Sequence, residues 1–239
     1  MVNNEIGTVQ PIKELTSICH DKGVLIHTDA VQAVGHMAIN VHDLDVDMLS
    51  ASGHKFNGPK GVGFLYIKKG TVVDPLINGG SQEGGLRAGT ENYIGVYAMA
   101  IALKNNTMNL TNNMQHILQL EDRLFKNLDK QQINYVRNGN QPLIPGLISV
   151  SFPGCEGEVI RNRLNALGMY VSTGSACTSS HTEISHVLSS LKIPRAQAIG
   201  TIRISLSKSN TINEIDLLTD NLSSIIRDVQ TSCHTDKPQ

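Results

Sequence analysis

The chain alternates between stretches with apolar residues at helical spacing and short apolar runs that end in polar clusters, the pattern of an α/β fold. Ile12, Leu15, Ile18 and Cys19 share one helical face and Gly23 follows as a stop signal. This predicts a helix over 12–22 with that face, Cys19 included, in the core. The run Val24-Leu25-Ile26-His27-Thr28-Asp29 reads as a buried parallel strand with Asp29 at its C-terminal tip. Further strands are predicted at 48–51, leading into Ser52-Gly53-His54-Lys55, and at 62–67, after a Gly58-Pro59 turn. Residues 79–90 are too rich in glycine for regular structure and read as a functional loop or linker.

Beyond that loop, a helical pattern runs from about 93 past 103, and polar Asn105-Asn106-Thr107 interrupts it before a second pattern through Leu118, Leu120 and Leu124. The domain boundary is expected at this break, giving units 1–106 and 107–239. The second unit reads as strand 147–152, helix 158–167, loop 172–180, helix 183–191, strand 201–206 and helix 212–229, a smaller α/β domain, with a frayed tail from 231.

Composition narrows the function classes. In 239 residues, apolar side chains make up 40%, charged ones 17%, and the net charge is -1, which fits a globular protein and offers no basic surface for nucleic acid. No apolar run approaches the roughly 18 residues of a membrane span, and no basic-then-apolar leader opens the chain. Cys19, Cys155, Cys177 and Cys233 are widely spaced, unlike a secreted disulfide framework, so a reducing cytoplasm is expected. The histidines show no zinc-ligand spacing, and no metal is expected.

The candidate chemistry lies at strand ends. Asp29 and Lys55 sit at the tips of two strands that a crossover can make parallel neighbours, so both reach one crevice. A lysine and a carboxylate there suit pyridoxal phosphate, the lysine anchoring the coenzyme and the acid holding a proton on its ring nitrogen. The same spacing also fits a surface lysine and a capping aspartate. Ser52, Gly53 and His54 supply a hydroxyl, a closely approachable backbone amide and an imidazole suited to a phosphate, while Asn4 and Gln32 are neutral amides able to bond the coenzyme's phenolic oxygen.

The segments N-N-E-x-G at 3–7, H-x-D-A-x-Q at 27–32 and S-G-H-K at 52–55, in that order, resemble the class V aminotransferase family and, within it, the NifS and IscS type of cysteine desulfurase. G-P-K-G at 58–61 and G-G-x-Q-E-x-G-x-R-x-G-T at 79–90 extend the match. So do the loop Ser172-Thr173-Gly174-Ser175-Ala176-Cys177-Thr178-Ser179 and Ile202-Arg203-Ile204.

The resemblance implies a fold type I pyridoxal-phosphate enzyme fragment: part of the large, mostly parallel-sheet domain plus the smaller C-terminal α/β domain. It implies Lys55 as the coenzyme lysine, His54 as a proton relay, and Asn4, Asp29, Gln32, Ser52 and His54 as coenzyme contacts. Thr90 would serve the neighbouring subunit of a homodimer, Arg203 with Asn4 the substrate carboxylate, and Cys177 the sulfur of L-cysteine, carried in a loop of small residues. The family's fold begins upstream of N-N-E-x-G, so its usual phosphate loop and ring-stacking residue are expected outside this chain. The implied sulfur acceptors are iron-sulfur scaffold proteins or tRNA-thiolating enzymes. The alternatives are a truncated remnant that only dimerises or binds partners, and another class V enzyme such as a selenocysteine lyase; Cys177 in a Ser/Gly loop argues against a small-amino-acid aminotransferase.

Overall fold

The computed structural model describes residues 1–173 and 184–235, with side chains through 231. The chain divides into two compact units, Met1–Val2 with Gln10–Leu110, and Asn3–Val9 with Thr111–Gln239.

In the first unit, α1 (Ile12–His20) precedes β1 (His27–Asp29), the short helix α2 (Val41–Leu44), β2 (Met48–Ser52), a 3-10 turn at Gly53–Phe56, β3 (Gly63–Ile67) and, after a 3-10 turn at Gln82–Gly85, α3 (Tyr93–Met108). α1 stops where the glycine signal places it. Gly23 adopts φ +69°, and the amides of Gly23 and Val24 donate back to the carbonyls of His20 and Cys19, closing the last turn.

The buried face of α1 differs from the expected one. Ile12 and Thr16 are buried, Leu15 and Ile18 are exposed, and Cys19 is only partly covered. Thr16 replaces an apolar side chain there because its hydroxyl donates to the carbonyl of Ile12 within the helix and so needs no outside partner. Likewise only 27–29 of the predicted 24–29 run pairs as strand, while Val24 and Leu25 stay about half exposed.

The sheet order is β1-β2-β3, with β1 parallel to β2 and β3 antiparallel to it. Register fixes two faces, since paired residues point the same way and neighbours along a strand alternate. Thr28, Leu49 and Ala51 lie on the buried face. Asp29 pairs with Ser50 and Ser50 with Leu65, which puts Asp29, His27, Ser50 and Ser52 on the opposite, more open face.

The polar break at 105–107 is not a break. α3 continues to Met108, and Asn106 is buried with its side-chain amide donating to the Phe56 carbonyl at 2.6 Å. A polar triplet reads as a loop until a tertiary acceptor satisfies it.

The second unit contains α4 (Leu110–Lys130), β4 (Val136–Arg137), β5 (Leu147–Ser151), α5 (Gly157–Ala166), α6 (His186–Ser190), α7 (Arg195–Ala198), β6 (Thr201–Ser205) and α8 (Ile212–Thr235). Its sheet, β4-β5-β6, is antiparallel throughout. One face, Ile148, Val150, Ile202 and Ile204, belongs to a core shared with Leu120, Leu124 and Leu128 of α4, Ile160 and Leu164 of α5, and Leu222 and Ile226 of α8.

The other face is a buried polar tier. Ser149 pairs with Arg203 and Ser151 with Thr201; Asn138 donates to both serine hydroxyls, at 3.2 and 2.8 Å, and Ser151 shares a 2.7 Å hydrogen bond with Thr201. Residues 3–9, counted with the first unit in the sequence reading, pack with the second instead. Thr8 bridges Leu143, and Ile6 joins Leu188 and Ala198 in a small apolar cluster. Backbone pairing thus overrides sequence adjacency at this point.

Candidate active site

In the first unit the candidate residues gather at the C-terminal ends of β1 and β2. Asp29 ends β1, and Lys55 lies on the 3-10 turn that follows β2, its parallel neighbour. Two adjacent parallel strands ending at the same edge deliver both groups to the kind of crevice where α/β sheets hold ligands. Asp29 Oδ1 accepts the Val31 amide at 2.8 Å, so the carboxylate does the local capping work that the plain alternative assigned to it. Both side chains are exposed.

Beside them, His27 shares a hydrogen bond with Ser50 at 3.2 Å, and Ser52 with the His54 Nδ1 at 2.8 Å. Gln32 is partly buried in the turn after β1. Thr90 is exposed at the end of the glycine-dense segment, where Gly89 donates to Gln82 Oε1 at 3.2 Å.

The turn under Lys55 is held firmly. Phe56 is fully buried, its carbonyl accepts from Asn106, and the Lys55 carbonyl accepts from His36 Nε2 at 2.7 Å. A turn clamped at consecutive carbonyls fixes the point from which the Lys55 side chain leaves the backbone. His36 and Asn106 are the residues that sequence reasoning passed over here. The asparagine's only sequence signal was a polar residue at a helical position that otherwise invited an apolar one.

Gly53 requires a correction. Its amide donates to the Val62 carbonyl at 2.9 Å and is not available to a phosphate. The glycine is needed for packing, since a Cβ there would lie 3.1 Å from both Met99 Cγ and the Val62 carbonyl oxygen.

In the second unit, Arg203 Nη1 donates to the Asn4 carbonyl at 3.0 Å and Nη2 to Ser172 Oγ at 3.4 Å. The backbones of Ser172 and Arg203 exchange hydrogen bonds at 3.0 and 2.6 Å. The Arg203 Nε is buried without a hydrogen-bond partner, a donor of the kind that an arriving anion satisfies. Thr173 accepts from Arg161 at 3.1 Å. Cys177 lies outside the described residues.

Among the described residues no cluster of three or more His, Cys, Asp or Glu side chains is arranged to hold a metal ion, and no helix is long and apolar enough to cross a membrane.

Comparison with known proteins identifies the family and the fold. The aminotransferase class-V family model matches residues 1–218. The cysteine desulfurase IscS of Dictyoglomus turgidum is 44% identical over 230 residues, which cover 96% of this chain and 58% of the relative. A solved NifS-like protein superposes with a TM-score of 0.85 at 38% identity, covering 95% of this chain and 59% of its own. SspA, solved in complex with cysteine, superposes with a TM-score of 0.71 at 32% identity over 88% of this chain and 58% of its own. The chain therefore spans a little under three fifths of the length of these relatives, and over that span it has their pyridoxal-phosphate-type fold. With the model matched along nearly all its length, the chain belongs to the aminotransferase class-V family.

Proposed function

We propose that the chain carries the lysine, the ring-pairing carboxylate and the sulfur-accepting cysteine of a pyridoxal-phosphate-dependent cysteine desulfurase. The observation that carries this reading is the arrival of Asp29 and Lys55 at the same edge of two adjacent parallel strands, beside the Ser52–His54 pair.

The residues present fit the coenzyme. An exposed amine and an exposed carboxylate share one strand edge, and the Ser52 hydroxyl and His54 imidazole remain as phosphate partners once the Gly53 amide is spoken for. Pyridoxal phosphate, when bound, supplies an aldehyde for attachment and a ring that withdraws electrons. Lys55 Nζ would hold the coenzyme and carry the substrate's α proton, with His54 as relay. Asp29 would keep a proton on the ring nitrogen, and Asn4 and Gln32 would suit the phenolic oxygen. Arg203 would bind the substrate carboxylate, its buried Nε being a donor still without a partner. The Cys177 thiolate takes the sulfur of L-cysteine, leaving alanine and a cysteine persulfide; its role rests on the sequence of its loop.

The relatives named as cysteine desulfurases and the cysteine held by SspA support this choice of substrate over other amino acids. By the same resemblance the protein acts as a homodimer, with Thr90 facing the partner's site, in the cytoplasm, where reducing conditions keep Cys177 a thiol. It passes sulfur to an iron-sulfur scaffold or a tRNA-thiolating enzyme.

Incubation with pyridoxal phosphate and L-cysteine should release alanine and leave an added sulfur on Cys177, read by mass spectrometry. Cys177→Ala should stay yellow with coenzyme and lose the persulfide; sulfur transfer retained in that variant would contradict the assignment.

A further inference from the structure

We propose that Ser185 and Glu5 form a positioning pair that holds the Glu5 carboxylate off Arg203 and leaves the guanidinium charge uncompensated, an inference that rests on reading Arg203 as the substrate-carboxylate ligand. Glu5 is buried, only 4% exposed, one residue from the Asn4 carbonyl that Arg203 Nη1 contacts. A buried carboxylate one residue away from that contact would, if free to turn, pair with the guanidinium and offset its charge. Here it is held. Glu5 Oε2 accepts from the Ser185 hydroxyl, while Arg203 Nη1 and Nη2 donate to the Asn4 carbonyl and to Ser172 Oγ.

Ser185 is itself buried and fixed, because its Oγ also accepts the Val187 amide at 3.1 Å as the cap of α6. The turn that carries Asn4 and Glu5 is equally determined. Asn3 Oδ1 accepts the amides of Glu5 and Ile6 at 2.9 and 3.1 Å, and Gly7 donates to the Asn3 carbonyl at 3.0 Å. That geometry leaves the neutral Asn4 carbonyl, not the Glu5 carboxylate, against the guanidinium. A neutral acceptor orients an arginine without cancelling its charge, which leaves the buried Nε donor to a substrate anion.

The test uses Ser185→Ala alone and combined with Glu5→Gln, in the coenzyme-loaded protein. Loss of the serine hydroxyl frees the carboxylate to turn to Arg203, and the Arg203 Nε–H resonance in nitrogen-15 spectra should shift. KM for L-cysteine should rise about tenfold with kcat nearly unchanged. Adding Glu5→Gln removes the competing charge, so the resonance should return and KM should recover to within about threefold. A merely structural pair behaves oppositely, the double variant being as damaged as the single or more so.

An Nε–H resonance that does not move in Ser185→Ala, or a shift that Glu5→Gln fails to reverse, overturns the inference whether or not the protein turns over L-cysteine. Wild-type protein that releases no alanine overturns the functional reading instead, and the resonance alone then decides the role of Ser185 and Glu5.

Discussion

The two units place polar groups on their sheets in opposite ways. In the first, one face of β1-β2 stays open and carries His27, Asp29, Ser50 and Ser52, while large apolar side chains such as Leu76 and Tyr97 stand 94% and 70% exposed in the segments that follow. In the second, both faces are covered. One packs into a continuous aliphatic core and the other buries a hydrogen-bonded Asn–Ser–Thr network in which the Asn138 Oδ1 is left without a partner. The difference separates two tasks. Burial of apolar surface holds the second unit together, and the first keeps exposed the groups proposed to hold the coenzyme.

That contrast can be broken most sharply in the second unit's core. Phe152→Ala removes a fully buried ring and should cost about 3–5 kcal/mol in denaturant unfolding. Glu121 comes next. It accepts the Gly146 amide at 2.9 Å and pairs with Arg137 at 2.6 Å, the guanidinium also lying over the Phe125 ring. Glu121→Ala strands a largely buried cation and an amide and should cost about 3 kcal/mol. At the far end of the scale, Lys55→Ala should change stability by less than about 0.5 kcal/mol while abolishing the yellow coenzyme complex. A destabilisation of Lys55→Ala comparable to that of Phe152→Ala would erase the division of labour.

The first unit also has a pH signature. Burial pushes the Asp47 carboxyl up, but the His20 ring at 2.9 Å and the Ile26 amide outweigh it and hold the carboxyl below its ordinary value of 3.8. A group depressed in the folded state stabilises fully above its unfolded value, and that contribution is lost as pH falls through the folded one. Below about pH 4 the amides around β1 and β2 should therefore lose hydrogen-exchange protection, and Asp47→Asn should flatten that dependence. An unaltered acid profile in Asp47→Asn would place the effect elsewhere.

Much of this organisation was legible in the sequence because its signals are local. Gly23 marks a helix end through its backbone freedom, and the runs ending in Asp29 and before Lys55 mark strand tips. What stayed hidden depends on distant partners. Asn106 looks like a break until the Phe56 carbonyl is found, and Gly53 looks like a phosphate contact until Val62 takes its amide. The pairing of 3–9 with Leu143 is likewise a long-range event that no window of the chain encodes.

The central claim is that the amine of Lys55 anchors pyridoxal phosphate, and trapping that bond tests it most directly. Borohydride reduction of the coenzyme-loaded protein, followed by peptide mass spectrometry, should find the pyridoxyl group on Lys55. A label on another lysine, or none at all, would contradict the account.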